Sequence, residues 1–231
     1  MRIGILETGE LPPELAAKHG AYPDMFQVML ENRGFEFAAY SVVNGIFPDS
    51  IQECDGWLIT GSRHGVYEDH EWILPLEELI RSIYAANIPL AGICFGHQIM
   101  AQALGGKVEW FGGKWGLGNQ EYRQANGENI TLLAMHQDQV IEAPSGARVT
   151  MESDFCQVAG LAYEGNAVSY QPHPEFSAEL VRDLLHLRMD KTIPGDQARP
   201  ALEALNQEND SSYIASEIVE FFMSTQANKA A

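Results

Sequence analysis

Apolar and polar positions along the first hundred residues follow two periods. Short, nearly unbroken apolar runs at 3–6, 56–62 and 89–93 have the length of buried strands, and 35–43 reads as a further strand. Between them apolar residues fall three and four apart. Met25, Phe26, Val28, Met29 and Leu30 behind a capping Asp24 predict one helix; Trp72, Ile73, Leu76, Leu79, Ile80, Ile83 and Tyr84 predict another. Pro75 fits that second helix only in its first turn. Residues 98–104 predict a third helix, stopped by Gly105 and Gly106. Such alternation of strand and helix belongs to an α/β fold with a doubly wound, mostly parallel sheet and flanking helices. Residues 8–23, rich in Gly and Pro, read as a loop at a strand end that can face a ligand.

Beyond Gly106 the texture changes. Short runs at 107–111, 129–135, 147–152, 156–163 and 167–170 predict a smaller antiparallel extension, and the Gly and aromatic cluster at 110–118 reads as a turn or packing segment. A helix over 177–189 is capped by Ser177, and Ile214, Ile218, Phe221 and Phe222 mark a C-terminal amphipathic helix. The polar stretch 190–212 has room for a short helix near 200–205. With no repeat and no long linker, one domain over 1–231 is expected, with a core of about 1–190 and a helical extension over 191–231.

Charge narrows the partners. Among 231 residues, 14 Lys and Arg stand against 32 Asp and Glu, a formal charge of −18. That balance argues against nucleic acid or an anionic membrane surface as a partner. No run approaches the ~20 apolar residues of a spanning helix, and the apolar start is too brief for a signal peptide, so a cytoplasmic location is expected. Three widely spaced cysteines suggest neither a disulfide framework nor a zinc knuckle.

One of them, Cys94, carries candidate chemistry. It follows the apolar run 89–93 and precedes the helical pattern, between Gly92 and Gly96, the arrangement of a strand-to-helix turn that displays a nucleophile. Such a turn sets the thiol at a helix N-terminus, where free N–H groups and the helix dipole favour a thiolate. A thiolate nucleophile needs a base, and the base an orienting acceptor. Tyr170-Gln171-Pro172-His173-Pro174-Glu175-Phe176 offers both, with His173 and Glu175 on either side of Pro174. His97 ranks below His173, because the elbow helix carries it away from the thiol and no acid stands beside it. Neither a His-Glu-x-x-His metal motif, a phosphate-binding loop nor a Gly-x-Gly-x-x-Gly sequence is present, so no metal and no cofactor are expected.

Gly92-Ile93-Cys94-Phe95-Gly96-His97-Gln98 together with His173-Pro174-Glu175 resembles the class I glutamine amidotransferases. The resemblance covers roughly residues 1–190 and implies a flavodoxin-like doubly wound sheet with Cys94, His173 and Glu175 as catalytic triad. It implies an oxyanion hole built from the backbone N–H groups of Ser62 and Phe95, with Ser62 standing where the family usually has Gly. Gly61, Gln98 and, within Met135-His136-Gln137-Asp138, His136 fall on positions that meet the substrate. Within the family, the pattern is similar to γ-glutamyl peptidases that act on glutathione conjugates and to the glutaminase domain of GMP synthase. The implied function is hydrolysis of a γ-glutamyl amide bond through a γ-glutamyl thioester. Two alternatives stay open: a glutaminase subunit that passes ammonia to a separate synthetase, and a non-catalytic binding protein of the same fold.

Overall fold

The computed structural model describes the backbone of residues 1–230 and the side chains of residues 1–225. Strand β1 (Arg2–Glu7) leads into helices α1 (Pro13–His19) and α2 (Tyr22–Met29), then β2 (Glu36–Ser41). β3 (Gly56–Ile59), α3 (Ile73–Ala85), β4 (Leu90–Ile93) and α4 (Phe95–Ala103) complete the alternating half. The second half runs β5 (Lys107–Trp110), β6 (Gly116–Gln124), β7 (Asn129–His136), β8 (Asp138–Glu142), β9 (Ala147–Glu152), β10 (Gly160–Tyr163) and β11 (Ala167–Tyr170). Helices α5 (Ala178–Arg188), α6 (Gly195–Ala204) and α7 (Ser211–Ala230) follow.

Nine strands form one sheet in the order β2-β1-β3-β4-β11-β10-β9-β6-β7, and β5 pairs with β8 in a separate antiparallel ribbon. The five strands from β2 to β11 are parallel. From β11 outward the pairing is antiparallel, so the extension continues the same sheet. Helices cover both faces. On one, Ile3, Ile5, Leu58 and Ile93 pack with Phe26 of α2 and with Ile214, Ile218 and Phe222 of α7. On the other, Trp57, Ile59 and Leu90 pack with Leu76, Ile80 and Ile83 of α3 and with Ile99 and Met100 of α4. Pro75 sits in the first turn of α3, as its missing amide requires.

Several segments differ from the sequence reading: α2 starts at Tyr22, so Asp24 lies in its first turn instead of capping it, and α4 starts at Phe95, three residues before the expected helix. Residues 13–19 form α1 rather than loop, with Pro13 at the first helical position, where its fixed φ favours a helix. Residues 116–118 open β6, whose Gly-rich start hides its strand pattern. β8 was not signalled, because its half-buried Asp-Gln-Val-Ile-Glu pattern gains its meaning only from pairing with β5. Among the described residues, no helix is long and apolar enough to cross a membrane.

The loops after β1, β3, β4 and β11 meet at the carboxyl edge of the parallel strands, where open α/β sheets bind ligands. There β4 passes into α4 with Cys94 alone between them, and Cys94 has φ +53°. The Cys94 amide donates to Tyr170 O at 2.8 Å and the Gly96 amide to Thr60 O at 3.1 Å, tying the turn to both neighbouring strands. A Cβ on Gly96 would lie 2.4 Å from Ile59 O, and one on Gly92 would lie 2.6 Å from Gly96 O. Alanine favours a helix over glycine by about 1 kcal/mol, but contact with a carbonyl oxygen this close cannot be relieved by a side-chain rotation. Gly96→Ala is therefore expected to lower stability by about 1–3 kcal/mol in urea denaturation, the usual overpacking cost, whereas a stabilised variant would mean that the turn relaxes freely.

Candidate active site

The strand β11 ends at Tyr170, and the segment after it carries His173 back over the end of β4, where the His173 amide donates to Leu133 O at 2.8 Å. The imidazole is clamped. Phe176 stacks on it with ring centres 3.9 Å apart and planes at 9°, and Phe176 stacks in turn on Tyr22. His173 Nδ1 donates to Glu175 Oε1 at 2.8 Å, and the side chains are 4% and 0% exposed. With Nδ1 committed, Nε2 is the nitrogen left for another partner. Gly61 brings that partner close: a Cβ added there would lie 2.9 Å from His173 Cε1 and 3.6 Å from Cys94 Cβ. Cys94 and His173 thus meet over a glycine that no other residue can replace without displacing the ring. Burial by itself disfavours a protonated His173, but the Glu175 carboxylate and the Cys94 sulfur outweigh it and raise its pKa.

Cys94 opens onto a cavity of about 690 Å³ whose walls include Ser62, Gln98, His136 and Asp138. A second cavity of about 470 Å³ lies behind Glu175, between α2 and α7, and Cys94 does not line it.

The family model "Glutamine amidotransferase class-I" matches residues 26–186. The chain belongs to that family. γ-Glutamyl peptidase 4 of Arabidopsis thaliana is 31% identical to it over 198 residues, 79% of this chain and 77% of that protein. A GMP synthase of Burkholderia mallei is 33% identical over 150 residues, 57% of this chain but 27% of the synthase. The crystal structure of a glutamine amidotransferase from Thermotoga maritima superposes with a TM-score of 0.74 over 96% of both chains, at 19% identity, which establishes a shared fold.

Other candidate positions of this amidotransferase chain divide by their hydrogen bonds. The Ser62 hydroxyl accepts from the His64 amide at 3.2 Å, so its side chain is folded into its own loop. Among the described residues the Ser62 and Phe95 amides have no acceptor, and Phe95 stands at the N-terminus of α4, where amides are free by construction. Gln98 Nε2 donates to Asp138 O at 2.9 Å and to Gln171 Oε1 at 3.0 Å, leaving only its carbonyl oxygen for a ligand. His136 ends β7 in the cavity wall; its Nδ1 donates to Asp138 O at 3.2 Å, its buried Nε2 has no partner among the described residues, and burial pushes its pKa down to about 3. His97 is fully buried. Its Nε2 donates to Val158 O at 3.0 Å and its Nδ1 accepts from Ser169 Oγ at 2.7 Å, so it binds α4 to β11 and is unavailable to Cys94. Burial pushes its pKa down to about 4.

Sequence reasoning missed four groups at this edge. The Phe176 clamp lies three residues from His173 and had no distinguishing signal. Arg63 and Arg188 line the cavity, and among the described residues neither has a carboxylate partner; the one side-chain bond of Arg188 is to Met135 Sδ at 3.6 Å. They share that wall with the carboxylates of Glu10, Glu68 and Asp138, so the cavity presents both signs of charge. The hydroxyl pair Thr8 and Thr60 ties the ends of β1 and β3 beneath Gly61. Finally, His64, Glu68 and His70 cluster at the rim at a spacing that matches no metal motif.

Buried neutral His97 and His136 bind protons less readily than their unfolded counterparts, whose pKa is about 6.5. Their contribution to stability is present above that value and is lost as pH falls toward about 4 and about 3. Ring-proton NMR titration should show two histidines still neutral at pH 5 while His173 keeps its proton into the alkaline range. Glu175→Gln should move the His173 titration to lower pH, and an unmoved titration would deny Glu175 its electrostatic role.

Proposed function

We propose that this chain hydrolyses γ-glutamyl amide bonds, preferring small γ-glutamyl peptides, with Cys94 as nucleophile, His173 as base and Glu175 as the group that orients it. The observation that carries the reading is a buried His173–Glu175 pair facing a cysteine held at positive φ on a glycine-lined turn. Cys94 Sγ attacks the γ-carbonyl carbon after giving its proton to His173 Nε2. The oxyanion that forms accepts from the Ser62 and Phe95 amides. Collapse breaks the carbon–nitrogen bond, the departing amine takes the proton from His173, and a γ-glutamyl thioester remains on Cys94. Water then attacks the thioester, passing its proton through His173, and free glutamate and the thiol are released. The Gln98 carbonyl oxygen accepts from the ammonium of the glutamyl end, with Gly61 and His136 forming the wall beside it.

Two features support peptides over glutamine. Relatives similar along most of their length are named γ-glutamyl peptidases. Arg63 and Arg188 offer two guanidiniums without a carboxylate partner among the described residues, suited to a carboxylate on the leaving half as well as to that of the glutamyl group. Similarity to GMP synthase supports a second reading, a glutaminase that delivers ammonia to a synthetase.

Cys94→Ala should cost at least about 10³-fold in kcat with the melting curve unchanged, and His173→Ala should cost more than Glu175→Gln, since the base moves the proton and the acid only positions it. Residual activity within tenfold of wild type in Cys94→Ala would remove the thioester route. Purified protein should release glutamate from γ-glutamyl peptides without a partner, at kcat/KM no lower than for glutamine. Arg188→Ala should raise KM for γ-glutamylglycine more than for γ-glutamyl anilides, which lack the second carboxylate. Silence on every γ-glutamyl compound until a synthetase is added would favour the second reading.

A further inference from the structure

The loop between β3 and α3 contributes nothing to the triad, yet it gathers two imidazoles and a carboxylate around one point. His64 Nδ1 lies 3.2 Å and His70 Nε2 2.7 Å from the same oxygen, Glu68 Oε2. The three donor atoms lie within 4.8 Å of one another. Zinc bonds of about 2.0–2.2 Å to nitrogen and oxygen give a tetrahedron with donor–donor edges of about 3.3–3.5 Å. The two separations from Glu68 fall short of that edge by less than about 1 Å and the third is no more than 4.8 Å, so small adjustments of side chains that are 19%, 43% and 34% exposed would seat an ion.

The rings are held by more than Glu68. His70 stacks on Trp72 with planes at 10°, and His64 stands edge-on to His70 with centres 4.3 Å apart. Trp72 packs against Phe95, the residue after Cys94. Tyr67, within the same loop, is anchored to β8 through its hydroxyl on Asp138 Oδ1 at 3.1 Å. Rings fixed by aromatic packing keep their nitrogens converged without relying on the hydrogen bonds that an ion would replace.

We propose that His64, Glu68 and His70 form a binding site for one divalent transition-metal ion at the rim of the Cys94 cavity. Two imidazole nitrogens and one carboxylate are the donor set of zinc sites that keep a fourth position open, and they select zinc, cobalt or nickel over magnesium and calcium, which take oxygen donors. His64 and Glu68 both line the 690 Å³ cavity, so the fourth position is reached from the space that a substrate enters. A chain of charge −18 concentrates cations at its surface. The site stands apart from the hydrolase reading, because its assignment uses no residue of the triad.

The test is a titration of the full-length Cys94→Ser protein, which lacks the active-site thiol as a competing ligand, with cobalt(II) under anaerobic conditions. One equivalent should bind with the visible absorption of a tetrahedral cobalt centre, and zinc should displace it while magnesium should not. His64→Ala and His70→Ala should each weaken binding at least tenfold and together abolish it, with circular dichroism and melting temperature checked in each variant. Should either variant fail to fold, His64→Gln and His70→Gln replace them. Absence of saturable binding, a purely octahedral spectrum, or affinity unchanged in the double variant would overturn the site. Because binding is read directly, neither result depends on whether the protein hydrolyses γ-glutamyl compounds.

Discussion

Everything at the carboxyl edge of the sheet depends on how closely β4 and α4 are joined. One residue makes the turn, and it is Cys94, at φ +53°, a conformation that costs a non-glycine residue roughly 1 kcal/mol or more. The surroundings hold it there. Its amide is bonded to β11, the next-but-one amide to the end of β3, and the flanking glycines let α4 approach Ile59 closer than any side chain would permit. Strain that is opposed from both sides fixes the direction of the Cβ, and so the position of the sulfur. The same join places the amide of Phe95, the first of α4, beside it, without an acceptor among the described residues.

The antiparallel extension contributes more than it first suggests. β11 is reached only after the chain has passed through β5 to β10, yet it pairs parallel with β4 at the centre of the sheet. That return delivers His173 to Cys94 from 79 positions further along the sequence, and the His173 amide is pinned to β7 of the extension. An insertion that slid β11 by one residue would turn Ser169, which holds His97, to the opposite face. Topology and chemistry are therefore coupled through a single strand.

Three buried histidines show how far environment outweighs residue type. His97 and His136 have only neutral partners and are held neutral by burial. His173 is as deeply buried, but a carboxylate and a sulfur face its two nitrogens, and the balance reverses. In an interior of low dielectric, the sign of the nearest charge decides the protonation state.

Much of this was legible along the chain. Periodicity found the parallel strands and their helices because residues buried on both faces or on one stripe must be apolar whatever surrounds them, and the Gly92-x-Cys94-x-Gly96 spacing announced a turn whose backbone leaves no room for side chains. His173-Pro174-Glu175 could be singled out because both partners are local. What sequence could not show is what depends on atoms distant in the chain: β8, which exists by pairing with β5; the Phe176 clamp; the bonds that commit Gln98 and His97; and the convergence of His64, Glu68 and His70. A run of residues fixes which face of an element is apolar, since that is a local property of each side chain. Which polar atom meets which is decided by three-dimensional packing, because hydrogen bonds and charge act over a few ångströms of space and are indifferent to the length of chain between.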